Sequence, residues 1–122
     1  MATTAQDIGR YLEQHLRAKG RDAVMTYGEL LRVFDDLPPF TGSWPAHPLC
    51  NMFGGLDIED ASLHRPFHTA VVVSQEDRVP GGGFFKMYVK YRDPKARVRS
   101  DIDRIRVHQR ELRAVADHYG HP

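Results

Sequence analysis

Four prolines, Pro38, Pro39, Pro45 and Pro48, crowd the stretch from Asp36 to Pro48 and constrain this chain more than any other feature. Each fixes φ and removes a backbone donor, so neither a helix interior nor a central strand can run through this region. Regular structure must therefore be built on either side of it. At 122 residues the chain has room for one ordinary domain. Its 41% hydrophobic and 27% charged residues suit a soluble globular fold rather than a disordered or membrane-spanning one.

Two helices are predicted before the prolines. Thr4 and Asp7 have capping-box spacing, and Ile8, Tyr11, Leu12 and Leu16 fall on one helical face. Gly20 ends that helix with a left-handed residue. A short extended piece, Ala23 to Met25, leads to a second capping box, Thr26 and Glu29, whose helix turns Tyr27, Leu30, Leu31 and Phe34 inward.

Beyond the prolines, a short helix is predicted from near Ala46 or Pro48, burying Leu49, Met52 and Phe53 and ending at Gly54-Gly55. Leu56 to Arg65 is expected to be a loop, with Asp57, Glu59 and Asp60 a solvated acidic cluster. Thr69 to Ser74 is β-branched, and Phe84 to Tyr91 alternates as a strand would. With Pro80-Gly81-Gly82-Gly83 as a flexible tip, the two form an antiparallel hairpin. Asp93-Pro94 then opens a long helix, with Val98, Ile102, Ile105, Gln109, Leu112, Ala116 and Tyr119 as its stripe. The expected fold is α+β: a single winged-helix-like domain over 1–122, with a helix–strand–helix–helix–β-hairpin core at 5–92 and a C-terminal helix at 94–119. The stripe could also serve as a dimer seam, leaving monomer and homodimer both open.

The formal net charge of +1 hides a gradient. Residues 1–44, 45–83 and 84–122 carry −1, −3 and +5. A basic C-terminal third points to a polyanion-facing surface, or to no more than a solvated Arg-rich helix. On the expected wing, Lys86, Tyr88 and Lys90 face outward and the tip adds Arg78; on the last helix Arg99, Arg106, Arg110 and Arg113 share a face. Such cations would hold phosphates without reading sequence. On the third helix only His47 and Asn51 could bond to base edges.

Two segments resemble a known family. Met25-Thr26-Tyr27-Gly28-Glu29-Leu30 resembles the Thr-Tyr-Gly-Glu-Leu signature of the C-terminal domain of DNA alkyltransferases and alkyltransferase-like proteins. Pro66-Phe67-His68-Thr69-Ala70-Val71-Val72 is similar to their Pro-Cys-His-Arg-Val-Val segment, followed by a Gly-rich turn as at Gly81 to Gly83. The likeness spans residues 8–85 with a gap in the middle. It implies a winged-helix domain that binds double-stranded DNA and flips out a base, with Tyr27 near the flipped nucleotide. Phe67 stands where the alkyl-accepting cysteine would be, so transfer to sulfur is excluded and a non-enzymatic binding role remains. The Arg that family members insert into the duplex has no match in Thr41 to Leu49. Tyr27-Gly28-Glu29-Leu30 and Pro80 to Phe85, with Gly82 in the variable place, also resemble uncharacterised small proteins with a Tyr-Gly-Glu-Leu start and a Pro-Gly-x-Gly-Phe-Phe segment.

Catalytic and metal chemistry find little footing. His47-x2-Cys50 and His64-x3-His68, thirteen residues apart, have zinc-finger spacing, but Pro66 breaks the helix the last two ligands would need. Cys50, with His47 one turn away, is expected to be a small buried thiol rather than a nucleophile. As the lone cysteine it forbids an intramolecular disulfide and suits a cytoplasmic protein. No secretion signal and no membrane-length apolar run is visible. The expectation is thus a cofactor-free, metal-free DNA-binding domain without enzymatic activity. Its alternative is a protein-docking or inhibitory module, using Phe40, Trp44, Phe84 and Tyr88 as an exposed apolar patch.

Overall fold

The Thr4–Asp7 capping box forms and opens α1 (Ala5–Lys19), which buries Ile8, Leu12 and Leu16. The computed structural model describes residues 2–39 and 47–120. Gly20, at φ 57°, ends the helix and starts a 3-10 turn, Gly20–Ala23. The Thr26–Glu29 capping box likewise forms at the junction of β1 (Met25–Thr26) and α2 (Tyr27–Val33), which buries Leu30.

α3 (Pro48–Ser62) begins where Pro48 predicts but runs straight through Gly54-Gly55. The expected loop at 56–65 is therefore mostly helix. Neither glycine is crowded by neighbouring atoms, so both act as ordinary, if weak, helix residues. The continuation buries Leu56, Asp57 and Asp60. Gly9 has a different role. A Cβ there would lie 3.0 Å from the Leu56 side chain, so its absence lets α1 and α3 approach.

A 3-10 turn (His68–Val71) leads into β2 (Val72–Val73), which pairs with β1 in parallel, Met25 opposite Val72 and Thr26 opposite Val73. Val71, Val72 and Val73 are fully buried, the uninterrupted apolar run of a parallel strand covered on both faces.

The predicted hairpin is not formed. Residues 82–92 are helical, as α4 (Gly82–Met87) and a π-helical turn (Tyr88–Arg92), so the described residues contain no wing. The helix buries Phe84, Phe85 and Tyr88 together, whereas a strand would have turned Phe84 and Phe85 to opposite faces. Phe84 and Tyr88 thus leave the expected exposed patch, and Phe40 and Trp44 lie outside the described residues.

The last helix starts later than predicted, as α5 (Asp101–Tyr119). Asp93 accepts a hydrogen bond from the Lys95 amide at 3.0 Å, closing a local turn around Pro94. The helix is instead opened by a Ser100–Asp103 capping box. Its core face carries Val107, His108, Glu111, Leu112, Val115, Ala116 and Tyr119. Of the predicted stripe, Ile102 and Ile105 face outward, at 62% and 48% exposure. Among the described residues, no helix is long and apolar enough to cross a membrane.

Candidate functional site

The parallel pairing of β1 with β2 sets side by side two segments far apart in sequence, and a pocket of about 820 Å3 opens where the strands end. Its lining comes from Thr26, Tyr27 and Gly28 at the start of α2, Ser74, Gln75 and Glu76 after β2, and Gly81 and Gly82 at the start of α4. The volume falls within the range of small-ligand sites, and crevices at the carboxyl ends of parallel strands are their common location.

Tyr27 ties the first wall to the third. Its ring packs against Phe53 at 5.9 Å, and its hydroxyl accepts a hydrogen bond from the Gly81 amide at 2.8 Å. Burial raises its pKa above the usual phenol value, so the hydroxyl stays protonated. A Cβ on Gly81 would sit 3.3 Å from that oxygen, so the close approach depends on glycine.

Three predicted cations lie on segments adjoining the pocket's walls in the chain. Arg78, exposed at φ 59°, lies on the loop between the pocket's last two wall segments and helps hold the Glu29 carboxyl below its ordinary pKa, after the Thr26 cap. Lys86 follows Gly82 by one helical turn, and Lys90 follows by another, its ammonium 5.2 Å from the Tyr91 ring. Both are exposed, but Tyr88 between them is buried.

The remaining predicted residues do not join them. His47 is 5% exposed and caps α3: Nδ1 accepts from the Leu49 amide at 3.0 Å, and Nε2 donates to the Pro38 carbonyl at 2.8 Å. With both nitrogens engaged, its expected contact with a base edge is corrected to a structural role. Asn51 is exposed on α3. Arg99 precedes α5 rather than lying on it, while Arg106 and Arg110 are exposed one turn apart, Arg110 3.9 Å from Asp93. Among the described residues, no group of three or more His, Cys, Asp and Glu side chains could hold a metal ion.

The expected solvated acidic cluster is the largest departure from the sequence reading. Asp57 and Asp60 are buried in α3, joined by Glu111 from α5. Asp60 accepts from the His68 amide at 2.9 Å, the His68 ring at 3.0 Å and the Arg65 guanidinium at 2.5 Å. Glu111 accepts from the Phe67 amide at 3.0 Å and from Arg92 at 2.8 and 2.9 Å. Asp57 accepts from the Thr69 hydroxyl at 2.6 Å. These bonds fix the segment 67–69, and with it β2 and the pocket wall beyond. The available signal was the spacing of Asp57 and Asp60, which share a face only if the helix passes Gly54-Gly55.

Phe67 is fully buried, edge-on to Phe84 at 5.9 Å. Residue 67 is thus part of the core. No family model, curated protein or solved structure matches this chain.

Proposed function

We propose that the protein is a non-catalytic DNA-binding domain that takes an unstacked base beside Tyr27 and holds the backbone with Arg78, Lys86 and Lys90. The observation that carries this reading is the parallel pairing of β1 with β2, which sets Met25 of the first resembling segment opposite Val72 at the end of the second, with a pocket lined by Thr26, Tyr27 and Gly28 of the first and by Ser74, Gln75 and Glu76 just beyond the second. The order α1, β1, α2, α3 fits a winged-helix relative without a wing. An aromatic ring such as Tyr27 accepts any base by stacking, and a base already unpaired is the least costly to extrude. With Phe67 buried, binding is the whole of the activity proposed.

The test is fluorescence anisotropy with two duplexes, one fully paired and one carrying a single unpaired base. The wild type should prefer the second. Tyr27→Ala should remove the preference, a loss of roughly 5- to 100-fold from the stacking of one base, while Tyr27→Phe should keep most of it. Lys86→Ala with Lys90→Ala should flatten the salt dependence of affinity by about two phosphate contacts. No binding to either duplex at low salt would overturn the reading.

A second reading, docking of a protein partner or a second copy on α5, draws on the outward Ile102 and Ile105 with Arg106 beside them. Under it, Ile102→Glu with Ile105→Glu abolishes association while DNA affinity is unchanged.

A further inference from the structure

The connector at 93–100 repeats a simple pattern: Lys95, Arg97 and Arg99 alternate with Ala96 and Val98. In extended chain, successive side chains point to opposite sides. Burial follows that rule, with Ala96 and Val98 packed against the core and the three cations exposed. The segment is also fastened. Its start is held by the Asp93 amide on the Tyr88 carbonyl at 2.9 Å and the Ala96 amide on the Asp93 carbonyl at 3.1 Å. Farther on, the Arg104 guanidinium lies 5.2 Å from the Phe85 ring and donates to the Val98 carbonyl at 3.4 Å.

The three cations line a hollow of about 410 Å3 with Val89 and Val98 in its wall. The one carboxylate in that lining, Asp103, accepts from the Ser100 amide at 3.2 Å and is engaged in the helix cap. Among the described residues, the ion pairs of this third of the chain are Arg92 with Glu111 and Arg110 with Asp93; Lys95, Arg97 and Arg99 form none, and the Asp103 carboxylate, held below its ordinary pKa mainly by its Ser100 cap and further by Arg97, offsets only part of their charge. Three like charges held around one hollow repel one another until an anion enters, and guanidinium forks match phosphoryl oxygens in geometry.

We propose that this hollow is a binding site for phosphate groups, separate from the pocket beside Tyr27. Phosphoryl oxygens reach such a site from a nucleic-acid backbone or from a free polyphosphate, and the experiment distinguishes the two. The full chain, labelled with 15N, is titrated with inorganic tripolyphosphate and amide shifts are followed by NMR. Saturable shifts are expected at 95–103, with none at Tyr27 and Gly81. Arg97→Ala with Arg99→Ala, both exposed positions, should weaken tripolyphosphate binding at least tenfold and leave the remaining spectrum unchanged. Competition with a short DNA duplex then identifies the source. Displacement of tripolyphosphate assigns the site to a nucleic-acid backbone, and retention assigns it to a free polyphosphate. Absence of shifts at 95–103, or equal binding by the double variant, would overturn the proposal. Neither result bears on the preference lost by Tyr27→Ala, so the two sites fail or stand independently.

Discussion

Replacing Asp57 by Asn should remove much of this fold's sensitivity to rising pH. Asp57 is buried on α3, 2% exposed, with the Thr69 hydroxyl at 2.6 Å. Burial is the main force pushing its pKa from 3.8 to about 8; the Thr69 bond opposes the rise, and the nearby Asp60 and Glu111 carboxylates add to it. Between those two values the folded chain keeps a proton that the unfolded chain releases. The stabilising contribution is therefore complete below about pH 4 and is lost as pH climbs towards 8, at up to about 1.4 kcal/mol per pH unit. Over the full window this is on the order of 5 kcal/mol, against the roughly 5–15 kcal/mol that holds such a domain together.

His108 works in the opposite sense and sets where to look. Its Nε2 donates to the Ala70 carbonyl at 2.7 Å, and burial holds its pKa below 6.5. Stability is lost as pH falls below the ordinary histidine value, because only the unfolded chain then takes the proton readily. From pH 6.5 upward His108 is mostly neutral in the folded chain and at most half protonated in the unfolded one, so its opposing contribution is no more than roughly a few tenths of a kcal/mol and Asp57 dominates the profile. Urea unfolding followed by far-UV circular dichroism at half-unit steps from pH 6.5 to 8 should show the wild type losing about 2 kcal/mol. Asp57→Asn keeps an acceptor for Thr69 and cannot ionise, so its profile should be flatter by that amount. Parallel profiles for the two proteins would refute the reasoning.

Three further changes probe other parts of the structure. Phe67→Cys introduces, at a position with no exposure, the residue that alkyltransferases carry in the segment that Pro66 to Val72 resembles; it should cost about 3 kcal/mol by thermal melting and transfer no label from an alkylated oligonucleotide. Glu111→Ala strips the partner from Arg92 and the Phe67 amide, and should lower stability by about 3–5 kcal/mol in urea titration. Thr26→Ala breaks the α2 capping box at the pocket's edge, costing about 1 kcal/mol and lowering Tm by about 4 °C.

How far the sequence reveals the fold depends on whether a signal is local. Both capping boxes before the prolines rest on residues three apart, and both form as predicted. The start of α3 at Pro48 is local too. Its end is not: Gly54-Gly55 is a stop signal by propensity, overridden because the next two turns bury Leu56, Asp57 and Asp60 against other elements. The same hidden continuation concealed the carboxylate network, since its partners Thr69 and Arg92 come from segments with no sequence relation to α3. The pocket was half legible: Tyr27 and the glycines stood out, but only the parallel pairing brings Ser74 to Glu76 beside them.

The misread segment at 84–91 shows why alternation alone cannot decide a short element. Phe84, Phe85, Lys86, Met87, Tyr88, Val89, Lys90 and Tyr91 satisfy a period of two if Phe85, Met87, Val89 and Tyr91 are inside, and aromatic content favours that choice. They also satisfy a helical period with Phe84, Phe85 and Tyr88 inside and Lys86 and Lys90 one turn apart outside. The two patterns differ in which aromatics they bury. A two-sided strand would leave Phe84 and Tyr88 on the solvent face of a small sheet, whereas the helix buries Phe84 against His108 and Phe67 with Tyr88 stacked on Phe84, and leaves Lys86, Lys90 and Tyr91 exposed. Burying two aromatic rings contributes several kcal/mol, more than the span of about 1 kcal/mol in strand propensity, so packing decides the matter. That choice also moves Lys86 and Lys90 from the outward face of a wing strand to a packed helix that starts at the Tyr27 pocket. The cations survive the correction with their backbone in a packed helix, the placement on which the proposed phosphate contacts rest.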